Sequence, residues 1–528
     1  FFSETNMRQP LRVKNNGART RTTSSKAYPA PVGGWNARDA LAVMKPTDAI
    51  ALENWFPNTS YVEVRGGYSS HATGLTNNGK TLMAHNALAG TSTMWCSTAS
   101  GIYNTSSAGA VGAAGLARTN GKHQWVNFGD GTNQWLIAAN GVDKPAYFDG
   151  TTWTAVDNAT SPALTGLTST SIISVFVSKG RLFFIEKDSL SFWYLAAGAA
   201  GGALTEFDLS GVAKKGGYLM AGATWTVDAG DGPDDRVVLA TSEGEVIVYQ
   251  GTNPSSATAW SLVGVYELGN PLGRRCLQKY GGDLVVLTQN GAFPMAAALQ
   301  STSVDYKLAL SFKIENAFNT AARTTGSVFG WTICFYPARS AMIVNVPTAE
   351  DGEHEQYVMN TITKAWCKFK EWDAEDFVVF NEELYFANGT TVYKAWTGQV
   401  DGTNDIVAYG KTAFSYFDGM GQQKSFKMFQ PVLSTNGGVS FLTSIDIDFK
   451  DEPIAGNATY TPIAGALWDV SLWDVDYWAS GLSIVKDWTS PSEYPGYCAA
   501  GKLKISTDSL TIQWMASNYI YETGSIFG

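Results

Sequence analysis

The sequence is poor in charged residues and in the side chains that most often bind metals. Asp, Glu, Lys and Arg make up 16% of the 528 residues, against about 25% in typical soluble proteins. The chain has five cysteines and four histidines (His71, His85, His123 and His354), and neither type shows the spacing of a zinc site. We therefore predict no metal, no cofactor, buried reduced cysteines, and histidines that are structural or solvated.

With so few charges, the surface must consist largely of Ser, Thr, Asn, Gly and aromatic residues. The chain contains 18 Trp, 23 Tyr and 26 Phe, which provide ample material for cores and interfaces. This composition is typical of a protein embedded in an assembly, although a rigid secreted β-protein would have a similar one.

Long apolar segments and nucleotide-binding motifs are also missing. No run approaches the ~18 apolar residues of a membrane span, and no apolar N-terminal segment predicts a signal peptide. The phosphate-binding motif of nucleotide-driven motors is absent as well. We therefore expect synthesis in a reducing cytosol.

The net charge of −10 is unevenly distributed. Residues 1–34 are predicted to be an irregular basic arm, with six basic residues, Arg8, Arg12, Lys14, Arg19, Arg21 and Lys26, and one acid, Glu4. Such an arm in front of an acidic body is typical of contacts with nucleic acid or a partner protein. The alternative is a flexible tail.

A strand–turn–strand unit recurs between residues 35 and 404. Short β-branched and aromatic runs separated by turn residues indicate antiparallel strands. The runs begin near Met94, Trp135, Leu182, Val237, Leu284, Met342 and Leu384. Their separation of roughly 40–60 residues is close to the period of a β-propeller blade. We predict an all-β fold with a β-propeller at 35–404; six blades are favoured and seven are possible.

Residues 405–528 are predicted to form a separate small antiparallel β-domain for platform or docking contacts. Ile445, Ile447 and Phe449 alternate with Asp446 and Asp448, as expected for half-buried strands. Three tryptophans, Trp468, Trp473 and Trp478, recur every five residues and are candidates for partner contact. The alternative is that they fill the core of this domain.

Two further local predictions concern short acidic or capped segments. Thr47 or Asp48 is suited to cap a single helical turn that ends at Pro57. Asp228, Asp231, Asp234 and Asp235 carry oxygen ligands suited to Ca²⁺. The regular calcium-loop spacing is missing, however, so we interpret these acids as turn residues.

Several segments, taken in order, carry a family resemblance: residues 52–57 (LENWFP), 65–68 (RGGY), 231–235 (DGPDD), 241–251 (TSEGEVIVYQG), 273–275 (GRR), 424–428 (KSFKM) with Pro431, and the Trp-Asp pairs at 468–469 and 473–474. With these segments the chain resembles the tail nozzle (tail tubular, DNA-stabilising) proteins of short-tailed bacteriophages. The resemblance implies a non-enzymatic virion protein of the tail, assembled in the host cytoplasm as a propeller-based homohexamer. It also implies contacts with an adaptor ring, tail fibres or spikes, the host cell surface and, transiently, double-stranded DNA in the hexamer channel.

In such a nozzle, the two basic pairs of the body, Lys214-Lys215 and Arg274-Arg275, are candidates to line or rim the DNA channel. The alternative is that each pair is a solvated loop. An otherwise acidic or neutral wall would let DNA slide without tight binding.

Two functions of other classes remain open at this point. A glycan hydrolase or lyase on a propeller would need two carboxylates about 5–10 Å apart and aromatic platforms. A glycan- or receptor-binding propeller would need only the platforms. No catalytic residue is predicted from spacing alone.

Overall fold

The computed structural model describes residues 22–88, 90–226, 235–298, 306–454, 482–490 and 495–524. The fold is all-β, with a β-propeller and a second β-domain. The predicted fold class is therefore confirmed. No helix in the described ranges is long and apolar enough to cross a membrane.

The propeller consists of seven small antiparallel blades, and in blades 1 to 6 the main strands follow one another along the chain from the channel outward. Blade 1 contains Thr81–His85, Thr93–Ser97, Gly101–Asn104 and Leu116–Ala117. Blade 2 contains Gln124–Gly129, Gln134–Ala139, Ala146–Phe148 and Trp153–Ala155. Blade 3 contains Ile172–Ser178, Arg181–Glu186, Ser191–Tyr194 and Thr205–Asp208. Blade 4 contains Leu219–Trp225, Arg236–Thr241, Glu245–Gly251 and Trp260–Glu267.

The remaining three blades complete the ring. Blade 5 contains Leu277–Tyr280, Asp283–Thr288 and Gly291–Pro294. Blade 6 contains Thr332–Tyr336, Ala341–Pro347, His354–Asn360 and Trp366–Phe369. Blade 7 contains Asp376–Phe380, Glu383–Asn388, Thr391–Ala395 and Tyr68–Thr73. The innermost strands of blades 7 and 1 pack together, which closes the ring.

All seven predicted repeat starts fall in the second strand of a blade. These strands are buried on both faces, so they read as continuous apolar runs such as Val237–Ala240. The described residues therefore form seven blades, the number that was held possible, and the six-bladed number that was favoured is wrong. The outer strand of blade 7, Tyr68–Thr73, comes from the other end of the propeller sequence and pairs antiparallel with Thr391–Ala395. Because this distant strand completes blade 7, none of the seven repeat starts is used to complete another blade, and each belongs to a separate one.

Short elements connect the blades. Small parallel bridges join Gly109–Ala110 to blade 7 and Leu164–Thr165 to Gly202–Ala203. The α-helices are Met295–Ala298 and Glu315–Thr325. The 3-10 helices are Ser169–Ser171, Tyr306–Leu308, Leu310–Ile314 and Pro337–Arg339. Leu310–Ile314 packs against Gly291–Pro294, where blade 5 lacks a fourth strand.

The second β-domain is built from both ends of the described chain. Its strands are Thr22–Pro29, Gly34–Trp35, Asp48–Glu53, Trp55–Pro57, Val62–Val64, Asn404–Thr412, Lys424–Thr435, Phe441–Ile447, Ser483–Val485, Pro495–Gly496, Ala499–Thr507 and Ile512–Thr523. The short strand Val400–Asp401 links the two units, because it pairs with Asn404–Thr412 and, at Asp401, with Tyr68 of blade 7. Thr22–Pro29 pairs along its whole length with Ile512–Thr523, and Asp48–Glu53 pairs with Asn404–Thr412. The propeller is thus an insertion within this domain.

This arrangement corrects three local predictions. The domain boundaries at 35 and 405 differ from the structure, because residues 34–64 belong to the β-domain. The predicted irregular arm includes the strand Thr22–Pro29. Its sequence is rich in Ser and Thr, and its backbone forms hydrogen bonds with the distant strand Ile512–Thr523. The helical turn predicted before Pro57 is instead two strands, Asp48–Glu53 and Trp55–Pro57.

A buried ion pair joins the two units. Arg65 follows the β-domain strand Val62–Val64 and is fully buried, and its guanidinium forms a bidentate pair with Asp401 at 2.8 and 2.6 Å. The remaining donors reach Asn54 Oδ1 at 2.9 Å and the carbonyl oxygens of Gly66 and Lys370 at 3.1 and 2.7 Å. All five guanidinium N–H groups are therefore used at this junction.

The five cysteines are buried and unpaired, as predicted. Cys96, Cys276, Cys334 and Cys367 lie in the propeller, and Cys498 lies in the β-domain. Burial raises the pKa of each thiol above its ordinary value. They are therefore packing residues rather than nucleophiles.

Candidate functional site

The innermost strands of the seven blades surround a channel along the propeller axis. Its volume is about 910 Å³, and the longest of these strands have seven residues, which span roughly 20 Å. The centre of a water molecule then has a mean cross-section of about 45 Å², about 8 Å across, which places the channel walls roughly 11 Å apart. A DNA duplex is wider than this, because its major and minor grooves alone are about 8.5 and 7.5 Å deep, so a duplex cannot pass through this channel.

Arg275 ties four blades together at the end of the channel where the innermost strands begin, here called the upper mouth. It precedes the first strand of blade 5, and its Nη1 lies 2.9 Å from Asp376 Oδ1 of blade 7. Its Nη2 donates to Thr81 Oγ1 of blade 1 at 2.7 Å and to the His123 carbonyl before blade 2 at 3.3 Å. Asp376 Oδ2 in turn accepts from Leu82 N at 2.9 Å. Burial raises the pKa of the Asp376 carboxyl, and Arg275 opposes that rise.

A second ion-pair network borders the same mouth. Lys80 Nζ lies 2.5 Å from Asp351 Oδ1 and 3.2 Å from Glu375 Oε1, and Lys122 pairs with Glu350. The ring of Phe329 faces three of these cations: Arg275 at 4.8 Å, Lys122 at 4.9 Å and Lys80 at 5.9 Å. Each of these carboxylates already has a cationic partner, which leaves none of them as a free general base.

His123 is a buried, neutral member of this network. Its Nδ1 lies 3.0 Å from Ser97 Oγ, and its Nε2 lies 3.3 Å from Asn140 Nδ2. Burial, together with the positive charges of Arg118 and Arg275, lowers the pKa of His123 to about 3. The expectation that this histidine is structural agrees with its buried contacts.

Asp143 organises the adjoining loops of blades 1 and 2. It accepts hydrogen bonds from Thr119 Oγ1 at 2.7 Å, Thr119 N at 3.0 Å, Asn120 N at 3.2 Å and Asn140 Nδ2 at 2.9 Å. Burial opposes ionisation of the carboxyl, but these hydrogen bonds outweigh it and lower the pKa of Asp143.

Arg274 differs from its neighbours because no described residue accepts a hydrogen bond from it or pairs with its charge. It lines the channel, is partly buried, and forms no hydrogen bond or ion pair with any described residue. Burial lowers the pKa of its guanidinium, with Tyr218 and Asp188 acting weakly in the opposite direction. Its Nη1 points towards Gly141, where an added Cβ would lie 3.6 Å away.

The predicted DNA-channel residues are separated by the fold. Arg274 and Arg275 line the propeller channel. Lys214 and Lys215 are exposed on the loop before blade 4 and are not in the channel wall. The backbone N–H groups of Lys214 and Lys215 donate to the buried Glu245 carboxylate at 3.2 and 3.1 Å. The Lys215 side chain pairs with Glu267, with Nζ 2.9 Å from the carboxylate.

Other predicted candidates fall partly outside the described ranges. Trp468, Trp473 and Trp478 are outside them, as are Asp228, Asp231 and Asp234. Asp235 is described and buried. Within the described ranges, no group of three or more His, Cys, Asp or Glu side chains is placed to hold a metal ion.

Sequence reasoning found the Arg274-Arg275 pair but missed Lys80, Asp376 and Phe329. Lys80, Arg275 and Asp376 stand just before or at the start of an innermost strand. Alignment of the seven repeats on their first strands would have placed these residues close together at the strand starts and indicated one cluster.

No family model matches the chain, and no curated protein matches its sequence. Among solved structures, the Myceliophteria thermophila Cps50 (Swd1) β-propeller domain is similar over 62% of this chain and 99% of its own, with 10% identity and a TM-score of 0.39. YCF48 bound to D1 peptide is similar over 66% of this chain and 99% of its own, with 12% identity and a TM-score of 0.36.

Chaetomium thermophilum Raptor shares 10% identity over 63% of this chain, with a TM-score of 0.38, and the match spans only 29% of Raptor. These low scores carry no information about function. The propeller assignment rests on the strand pairing described above.

Proposed function

We propose that this chain is a bacteriophage virion protein that forms the tail nozzle of a short-tailed phage. The observation that carries the proposal is the junction between the propeller and the β-domain. Residues 52–57 and 65–68, which carry part of the family resemblance, supply the Asn54 and Arg65 side chains of the buried junction. A single rigid protomer of this kind is suited to a force-bearing assembly.

Close backbone packing reinforces this junction. A Cβ on Gly67 would lie 1.9 Å from the Val400 carbonyl oxygen, and a Cβ on Gly66 would lie 2.8 Å from Trp396 Cδ1. Because the two units are locked together, opening of a ring would proceed by rigid-body rotation or translation of whole protomers. Ejection of DNA would then follow a shift at the interfaces between copies.

In this proposal the DNA path lies between protomers, on the axis of a homohexamer. The propeller channel is too narrow for a duplex, so Arg274 and Arg275 are not on that path. Lys214 and Lys215 are exposed and remain candidates for transient phosphate contacts. The net charge of −10 would keep the path from holding DNA tightly.

The β-domain is the proposed docking unit. Four large apolar side chains near its edge are more than a third exposed: Leu482 at 49%, Ile484 at 61%, Trp488 at 39% and Tyr497 at 44%. Exposed aliphatic and aromatic groups of this kind are typical of protein interfaces. We assign this surface to contacts with neighbouring copies or with the adaptor ring. Tail fibres or spikes and the host cell surface are the further proposed partners in the virion.

A glycan-active propeller is the alternative from another class. Cleavage requires two carboxylates facing a substrate, and among the described residues of the channel wall only Asp376 carries one. That carboxylate is paired with Arg275. No specific observation therefore favours this alternative.

Native mass spectrometry of the purified chain, with negative-stain imaging of the same sample, tests the nozzle proposal. We expect six copies in a ring. Ile484→Asp should weaken the ring, because it places a charge on the proposed interface. Ile362→Asp is the matched control, since Ile362 is 69% exposed on blade 6, outside that surface. A stable monomer that cleaves polysaccharide would contradict the proposal.

A further inference from the structure

A short acidic loop of blade 6 lies at the upper mouth and is here called the strap. It comprises residues 348–353, between the strands Ala341–Pro347 and His354–Asn360. The two ends of the strap are joined, because Thr348 N donates to the Glu353 carbonyl at 3.1 Å and Thr348 Oγ1 donates to the same oxygen. The strap contains three acids and no large apolar side chain, so its tip has no hydrophobic anchor.

The tip of the strap is held by polar contacts with the segments that lead into blades 1 and 2. Asp351 Oδ1 lies 2.5 Å from Lys80 Nζ and accepts from Asn78 Nδ2 at 2.7 Å. Glu350 pairs with Lys122 and lies 3.9 Å from Lys80 Nζ. Burial opposes ionisation of the Asp351 carboxyl, but the hydrogen bonds from Lys80 and Asn78 outweigh it and lower the pKa of Asp351. The strap therefore reaches from blade 6 past blade 7 to blades 1 and 2.

The two lysines that hold the strap also contact the ring of Phe329, which precedes the first strand of blade 6. Lys80, Lys122 and Arg275 lie 5.9, 4.9 and 4.8 Å from the ring centre. These cations stand just before blades 1, 2 and 5, on different sides of the axis, so the ring occupies the mouth between them. Among the described residues that line the channel, neither Phe329 nor any strap residue occurs. The ring and the strap therefore close this end of the channel.

The contacts of the strap are of a kind that can break without unfolding the blades. The side chains of Glu350 and Asp351 are 46% and 42% exposed, and ion pairs with such exposed carboxylates contribute little stability and are screened by salt. Asp351 has a φ of +57°, in the left-handed region that few residues other than glycine adopt. When the strap lifts, Lys80 keeps a second partner, the buried Glu375, at 3.2 Å. Release of the strap therefore leaves no buried lysine unpaired.

We propose that the strap is a salt-sensitive latch, which closes the upper mouth at low ionic strength and lifts at high ionic strength while the seven blades stay folded. Opening would uncover the Phe329 ring and the ammonium groups of Lys80 and Lys122. The latch would pivot where Thr348 and Glu353 join the rigid strands of blade 6. Local opening of this kind is typical of segments with few buried apolar contacts. The inference is independent of the proposed function, because every contact of the latch lies within one protomer.

Hydrogen–deuterium exchange of the full chain, followed by mass spectrometry, tests the latch. Asp351 N donates to Glu375 Oε1 at 3.0 Å, so the exchange of this amide reports whether the strap is closed. Raising sodium chloride from about 0.1 M to about 1 M shortens the range of electrostatic interactions from about 10 Å to about 3 Å. We expect exchange at the strap to become about fivefold faster or more, with unchanged exchange in the innermost strands of the blades.

The double variant Glu350→Gln/Asp351→Asn removes both charges with little change in side-chain shape. After correction for intrinsic exchange rates, its strap should exchange at low salt as fast as that of the wild type at high salt, and salt should then have little effect. Its melting temperature should be close to that of the wild type. Glu383→Gln is the matched control, because Glu383 is 43% exposed and pairs with Lys394 at 3.0 Å, at the opposite end of the propeller. The control should leave exchange at the strap unchanged.

Two results would overturn the proposal. The first is exchange at the strap that neither salt nor the double variant accelerates, which would show that these ion pairs do not hold it. The second is equal acceleration at the strap and in the innermost strands, with a clear drop in melting temperature. That outcome would show that the strap is part of the cooperative fold and does not open alone.

Discussion

The Arg65–Asp401 pair gives the most direct test of how the propeller is coupled to the β-domain. Both side chains are essentially buried, at 0% and 2% exposed. Asp401→Asn keeps the shape of the side chain but removes its charge and turns one acceptor into a donor that faces the guanidinium. Breaking a buried pair by neutralising one partner typically costs about 3–5 kcal/mol, because the other charge remains buried. We expect a loss of that size in the free energy of unfolding.

The assay is guanidinium chloride unfolding followed by tryptophan fluorescence and far-ultraviolet circular dichroism. Because the pair joins two units, Asp401→Asn should also make the two signals diverge, as unfolding stops being a single transition. The double variant Arg65→Met/Asp401→Leu removes both charges and should cost less than the two single changes combined.

Lys394→Gln is the control, because Lys394 forms a solvent-accessible pair with Glu383 at 3.0 Å and should change the unfolding midpoint little. An Asp401→Asn protein with the midpoint of the wild type and coincident signals would refute the view that this pair couples the two units.

Three further predictions concern the junction and the upper mouth. Gly67→Ala should lower stability by roughly 1–3 kcal/mol or more, measured by thermal melting, because its Cβ would meet the Val400 carbonyl; an unchanged melt would contradict this packing. The folded-state pKa of Asp143 is lowered, so its contribution to stability is present above the ordinary value of 3.8 and is lost as pH falls through the lowered pKa. The stability gap between wild type and Asp143→Asn should therefore shrink on going from neutral to strongly acidic pH; a constant gap would be inconsistent with this. His123 should remain neutral from pH 7 down to about pH 4, because its pKa is lowered to about 3. NMR of the four labelled histidines measures this, and a His123 signal that titrates near pH 6.5 would contradict its burial. Stability tied to neutral His123 is complete above pH 6.5 and declines as pH falls from there towards 3.

The propeller was predictable because its second strands are local, continuous and apolar. Segments such as Arg236–Thr241 and Asp283–Thr288 can be recognised as strands from their own residues, without knowledge of the strands they pair with. The blade number was harder to predict, because Tyr68–Thr73 joins blade 7 from about 300 residues away and blade 5 has three strands. Neither feature leaves a local signal.

The β-domain and the upper mouth depend on contacts between residues that are distant in sequence. Thr22–Pro29 has no strong strand pattern and is ordered by pairing with Ile512–Thr523. Arg275 was identified because it stands beside another arginine. Asp376, its partner across the channel, is one of four acids in the stretch 371–376, and only the ring of blades shows which of them meets Arg275.

The central claim is that DNA passes between copies of this chain and not through the propellers. Cryo-electron microscopy of the assembled ring, with duplex DNA present, tests it most directly. We predict six-fold symmetry, with rod-like density of duplex width on the ring axis and none within the propeller channels. A ring whose axis is closed by protein when DNA is bound, or a chain that stays monomeric with DNA, would contradict the account.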